Sequence, residues 1–94
     1  MTYWMERYSP AELAALEAIG GAIRAARLRV PWSQHTLARR CGLSQSSISR
    51  LEAGKAPTVR VSRLAHVLMA LDARLVIELL PPRHASERHH LDTP

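Results

Sequence analysis

Four polar side chains in the middle of the chain stand at helical spacing. They are Gln45, Ser46, Ser49 and Arg50. On a helix, residues three and four positions apart are neighbours, so these four share one face. Glutamine hydrogen-bonds to adenine in the major groove, and serine hydrogen-bonds to several bases. The pattern predicts a helix whose polar face contacts base edges.

The residues around this face are spaced as a helix-turn-helix requires. Ala38 is small where the second helix of the pair would cross, and Gly42 permits the positive φ of a tight turn. Ile48 and Leu51 would anchor the second helix to the core and leave its other face free. The spacing therefore predicts that this second helix is the recognition helix.

The charge distribution points to a polyanionic partner. The chain carries 13 Lys and Arg against 8 Asp and Glu, a formal net charge of +5. Between residues 24 and 63 nine bases accompany a single acid, Glu52. A basic centre between acidic flanks predicts nucleic acid as the partner. The alternative is a solvated, arginine-rich surface with no partner.

Local signals predict a first helix after an arm over residues 1–8. Ser9 can cap it, and Glu12 can complete a capping box. The pair Gly20-Gly21 interrupts the apolar stripe of this helix, so a kink or a restart is expected there. Pro31 ends it. Further helices are predicted over 34–41 and 45–52, capped by Ser33 and Ser44, and from 59 or 61 to 71.

A strand is predicted over 74–80, where Leu75, Ile77 and Leu79 alternate with other residues. A lone strand leaves its backbone groups unpaired, so we expect it to pair with the same strand of a second copy. The alternatives are an extension of the fourth helix or pairing with residues 2–7. The strand would complete a domain over 9–80, and the polar residues 81–94 are expected to form a flexible tail.

The segment 19–71 resembles the XRE (Cro/cI-type) helix-turn-helix family. The matching motifs are S-Q-x-x-L-A at 33–38, G-L-S at 42–44 and I-S-R-L-E-A-G at 48–54. The resemblance implies an all-α, lambda-repressor-like bundle of four to five helices, here with one C-terminal dimerising β-strand. It also implies that Gln34 bonds a DNA phosphate and braces Gln45. The phosphate contacts that we predict are Gln34, Ser44, Ser47, Lys55, Thr58 and Arg60.

The layout is also similar to that of the HipB-type antitoxins, which pair with a HipA-type kinase toxin. The similarity rests on Y-S-P-x-x-L at 8–13 and on the predicted strand, whereas the long first helix and the tail differ. We therefore expect a homodimeric repressor of a palindromic operator, acting as an autorepressing antitoxin. The alternatives are a regulator without a toxin partner and an antitoxin whose main role is to neutralise a protein.

Other classes of protein lack support in the sequence. The motifs G-x-x-x-x-G-K-[ST], H-E-x-x-H and G-x-S-x-G are absent, so neither an enzyme nor a cofactor is expected. Cys41 has no metal-binding partners, and His84, His89 and His90 fall in the polar tail, so no metal is expected. No apolar run approaches the ~20 residues that span a bilayer, which favours a cytoplasmic protein.

Overall fold

The computed structural model describes residues 3–74 and Val76, and the regular structure within these residues is helical. A short 3-10 helix, Tyr3–Arg7, precedes four α-helices. These are α1 (Pro10–Arg29), α2 (Gln34–Cys41), α3 (Gln45–Glu52) and α4 (Val61–Ala70). The predicted all-α helix-turn-helix bundle is confirmed. Apart from Arg74 and Val76, the predicted strand over 74–80 lies outside the described residues, as does the predicted tail over 81–94.

Serine side chains start three of the four helices, as predicted. Ser9 Oγ accepts a hydrogen bond from the Glu12 amide at 3.1 Å, and Glu12 Oε1 accepts one from the Ser9 amide at 2.9 Å. This reciprocal pair is the predicted capping box. Ser33 and Ser44 cap α2 and α3 in the same way, each through a hydrogen bond from the amide three residues later. The boundaries of α2 and α3 follow from these caps.

The expected restart at Gly20-Gly21 is wrong, because α1 is one continuous helix. Gly20 has a packing role instead. A Cβ atom built on it would clash with the carbonyl oxygen of Leu51 and lie 2.6 Å from that of Glu52. Only glycine allows α1 to approach α3 so closely, and Gly21 faces open space beside it. Tertiary contact with α3 therefore outweighs the low helix propensity of the pair.

The core lies where α2, α3 and α4 meet α1. Leu37, Ile48 and Val67 are fully buried, one from each of the three shorter helices. The remaining buried apolar residues are Ile23, Ala26, Ala38, Leu51 and Leu71. The prediction that Ala38, Ile48 and Leu51 face inward is confirmed, and this arrangement holds α3 with its opposite face outward.

Two glycines with positive φ shape the turns on either side of α3. Gly42 follows α2 with φ of 72°, which confirms the predicted left-handed turn of the helix-turn-helix. Gly54 follows α3 with φ of 73°, and a Cβ atom there would lie 2.8 Å from Glu17 Cα. The turn after α3 is thus seated directly on α1, which fixes where the chain enters its next segment.

Candidate nucleic-acid interface

The outer face of α3 carries the four predicted base-reading residues. Gln45, Ser46, Ser49 and Arg50 are all exposed, whereas Ile48 and its neighbours on the inner face are buried. The structure therefore brings the four side chains together on one surface. Their backbone positions are set by the buried face of the same helix, so the polar face is held rigidly toward solvent.

The serines at the start of α3 bond mainly to one another. Ser44 Oγ accepts from the Ser47 amide at 3.1 Å and lies 2.8 Å from Ser47 Oγ and 3.1 Å from Ser46 Oγ. Ser44 and Ser46 are exposed and Ser47 is half-buried. The cluster orders the first turn of α3 and presents hydroxyl groups beside Gln45.

An open cleft lies beside this face, between α3 and the turn that leads to α4. Its polar lining comes from Ser47, Arg50, Lys55, Thr58 and Arg63, and its volume is about 410 Å³. Four of these five residues were predicted as DNA contacts from the sequence. Three of the five carry a positive charge, so the cleft is suited to a phosphate group.

Sequence reasoning missed Arg63, which lines two adjoining clefts. The second cleft is lined by Arg60, Ser62 and His66 and shares Arg63 with the first. Arg60 precedes α4 without a capping side-chain hydrogen bond, so the first amides of that helix keep their partial positive charge. The available signal was the position of Arg63 in the basic segment, in the first turn of the predicted fourth helix.

A buried ion pair joins α1 to the end of α3. Arg27 Nε donates to Glu52 Oε2 at 2.6 Å, and Arg27 Nη2 donates to Glu52 Oε1 at 2.9 Å. Arg27 Nη1 also donates to the Trp32 carbonyl oxygen at 2.8 Å, in the turn before α2. The bidentate geometry makes this a strong and directional contact. It locks α1, the turn and α3 into one relative arrangement.

Gln34 belongs to the same network. Its Nε2 donates to Glu52 Oε1 at 3.0 Å. The amide of Gln34 therefore braces the last residue of α3, whereas the resemblance implied a brace to Gln45 at the first. Gln34 is half-buried, and its predicted phosphate contact stays a prediction.

The network controls the ionisation of Glu52. Burial alone would raise the pKa of this carboxyl group, but hydrogen bonds from Arg27 and Gln34 outweigh burial and hold the pKa below its usual value. The bond to Glu52 likewise raises the pKa of Arg27. Both groups therefore stay charged. Glu52, the single acid between residues 24 and 63, is thus buried, and its negative charge is balanced by Arg27. It does not reduce the positive charge of the surface around α3.

The sequence held two signals for this pair. Arg27 lies four residues after Ile23, so it continues the buried stripe of α1. Glu52 is the only acid in a basic segment. An arginine on an apolar stripe needs a buried partner, and Glu52 is the one acid within the basic segment 24–63 that contains Arg27.

Defined packing contacts also involve Arg40, Cys41, Trp4 and Tyr8. The Arg40 guanidinium lies 4.9 Å from the centre of the Trp32 ring, a cation–π contact. Cys41 is half-buried against the core, and burial raises the pKa of its thiol. Trp4 and Tyr8 pack edge to face with ring centres 6.1 Å apart. Leu75, Ile77 and Leu79, the predicted dimerisation residues, lie outside the described residues.

Two features are absent from the part of the chain that the structure describes. No group of three or more His, Cys, Asp or Glu side chains there could hold a metal ion. None of its helices is long and apolar enough to cross a membrane.

Comparison with known proteins agrees with this geometry. The family model described as "Helix-turn-helix domain" matches residues 18–76, a range that includes α2, α3 and α4. The chain belongs to this helix-turn-helix family. Membership indicates a DNA-binding regulator. Neither a curated protein nor a solved structure gives a significant match.

Proposed function

We propose that this protein is a sequence-specific transcriptional repressor that binds an inverted-repeat operator as a homodimer. One observation carries the proposal: the exposed polar face of α3 lies beside a cleft lined by Arg50, Lys55 and Arg63. A helix of this kind fits the major groove, where Gln45, Ser46, Ser49 and Arg50 would contact base edges.

Electrostatics supports the same orientation. Lys55, Arg60 and Arg63 line the two adjoining clefts. With α3 in the major groove, we expect the phosphate backbone to follow this side of the helix. Glu52 is paired with Arg27, so its negative charge is balanced inside the core. Gln34, Ser44, Ser47 and Thr58 would add neutral hydrogen bonds to phosphate oxygens.

Dimerisation is the second part of the proposal. Pairing of residues 74–80 with the same segment of a second copy would set two recognition helices against two half-sites. Their separation would be ~34 Å, one turn of DNA. Two linked half-site contacts give a much higher affinity than one, because the second contact is intramolecular.

The resemblance to HipB-type antitoxins supports a narrower role. The Y-S-P-x-x-L pattern at 8–13 includes Ser9, which forms the capping box of α1. We propose that the repressor controls its own operon and binds a HipA-type kinase toxin. Purification of the tagged protein from its native host, followed by mass spectrometry, should recover such a kinase. Recovery of DNA but no protein partner would favour a regulator without a toxin.

Selection from a random duplex library tests DNA binding directly. Wild-type protein should enrich an inverted repeat whose half-site centres lie about one helical turn apart. A pool that stays as random as its input would contradict sequence-specific binding.

Salt dependence tests the phosphate contacts. Lys55→Ala, Arg60→Ala and Arg63→Ala should each weaken binding to all duplexes alike and reduce the slope of log affinity against log salt by about one ion. Arg7→Ala is the matched control, because it removes the same charge from the N-terminal 3-10 helix, outside the family match. If Arg7→Ala reduces the salt slope by the same amount, Lys55, Arg60 and Arg63 do not contact phosphate groups.

A further inference from the structure

An apolar groove runs between α1 and α4, on a part of the molecule separate from the DNA-facing clefts. Ile19, Ala22, Ile23 and Ala26 line one side, and Leu64 and Leu68 line the other. The open volume is about 130 Å³. An apolar cavity of about 150 Å³ stays dry and takes an apolar group the size of benzene. An open groove of similar size therefore suits large aliphatic side chains.

The described chain reaches this groove before it continues into an apolar segment. Ala73 and Arg74 are themselves part of the groove lining. The next six residues, 75–80, are apolar except for one glutamate. Extended at ~3.3 Å per residue they span ~20 Å, which exceeds the ~15 Å along α1 from Ile19 to Arg29. The segment therefore starts at the groove and is long enough to cover it.

We propose that residues 75–80 of the same chain occupy this groove, with Leu75, Ile77 and Leu79 packed between α1 and α4. Val76 is 85% exposed. In an extended chain successive side chains point to opposite sides, so an outward Val76 leaves its odd-numbered neighbours for the groove. By the same alternation Glu78, the one charged residue of the segment, would point away from the apolar lining, as Val76 does.

This packing is independent of DNA binding and compatible with the proposed dimer. Only one face of the segment is used against α1 and α4, so its backbone edge stays available to a second copy. The rival occupant is the same segment from another molecule. An experiment must therefore distinguish an intrachain contact from an interchain contact.

Engineered cysteine pairs in the full chain make this distinction. Cys41→Ser removes the native thiol, and Ala22→Cys is then combined with Ile77→Cys or with Leu79→Cys. A disulfide needs Cα atoms within about 7 Å, so it forms in a glutathione buffer only if the segment lies in the groove. Leu28→Cys replaces Ala22→Cys in the control, since Leu28 is exposed on α1 outside the groove lining.

Non-reducing gels and mass spectrometry give three outcomes. A disulfide within one chain, at least tenfold more abundant than in the Leu28 control, supports the proposal. A disulfide between two chains overturns it, because a second copy then fills the groove. Absence of any disulfide above the control level also overturns it, since the segment then lies elsewhere.

Thermal melts give an independent measurement. Ile77→Asp should lower Tm by about 5–10 °C, because a buried aliphatic side chain is lost from a small domain. Val76→Asp is the matched control and should leave Tm almost unchanged, since that side chain is exposed. Equal shifts for the two variants would overturn the proposed packing even if both proteins stay folded.

Discussion

Gln45 is the first residue of α3, directly after the capping residue Ser44, and it is exposed. We expect Gln45→Ala to lower operator affinity by ~1–3 kcal/mol and to relax the preference at one base pair per half-site. The reason is that a glutamine amide can pair with a base edge through two hydrogen bonds, and alanine cannot.

Binding-site selection with the variant measures this effect. Affinity for unrelated duplexes should change little, because phosphate contacts are kept. An unchanged base preference at every position of the half-site would show that Gln45 does not read DNA.

The ionisation of Glu52 makes the stability of the protein depend on pH. Its pKa is lower in the folded protein than its usual value, so the charged form stabilises the fold. This stabilisation is complete at pH values above the pKa of the unfolded chain, and it is lost as the pH falls through the lower, folded-state value. We expect the free energy of unfolding to fall across this acidic range, measured by urea titration at successive pH values.

Two variants isolate the contribution of Glu52. Glu52→Gln should cost about 3–5 kcal/mol near neutral pH, because Arg27 then keeps a buried charge without a counter-ion. This variant should also lose less free energy of unfolding at acidic pH than the wild type. A smaller loss remains because of Glu12, whose pKa is lowered by its bonds with Ser9. Replacing both partners, with Arg27→Met and Glu52→Leu, should cost less than Glu52→Gln alone. An acid profile identical to wild type would show that Glu52 titrates normally.

At the scale of the elements, the crossing of α1 over α3 depends on a single glycine. Gly20→Ala should destabilise the protein by about 1–3 kcal/mol, because the added methyl group collides with backbone oxygens that cannot move independently. Gly21→Ala should instead stabilise it by up to about 1 kcal/mol, since nothing lies within 4 Å of the new methyl group.

Chemical denaturation of the two variants provides a paired comparison. Both change glycine to alanine in the interior of one helix, so their helix propensities change equally. The difference between them reports only the contact with α3. Equal stabilisation by both substitutions would mean that α1 does not approach α3 as described.

At the scale of the whole molecule, operator affinity depends on assembly. Ile77→Pro removes a backbone donor in the middle of the predicted strand and changes no residue of α2 or α3. We expect this variant to fall towards monomer, to keep its helices and to lose most of its operator affinity, because each monomer contacts only a half-site.

Analytical ultracentrifugation together with circular dichroism measures both properties. Sedimentation of the wild-type protein as a monomer at high micromolar concentration would contradict the dimer. Dimerisation of Ile77→Pro to the same extent as wild type would place the subunit contact elsewhere in the chain.

The sequence alone determined the features that depend on neighbouring residues. Ser33, Ser44 and Gly42 set the ends of α2 and α3, and each acts through hydrogen bonds or a backbone angle within about one turn. The apolar positions of α3 likewise determined which face is polar, since the helical period alone separates the two faces. The helix-turn-helix and its predicted reading face therefore follow from local patterns of residues.

Only the tertiary structure decided how the helices meet. The glycine pair favoured a break in α1, but contact with α3 explains Gly20 and keeps the helix continuous. Arg27 and Glu52 are 25 positions apart, and Arg63 joins the α3 cleft across a turn, so neither contact follows from local spacing. Close approaches and buried charges depend on the angle and distance between helices. Those quantities arise from packing the whole core, which no short stretch of sequence specifies.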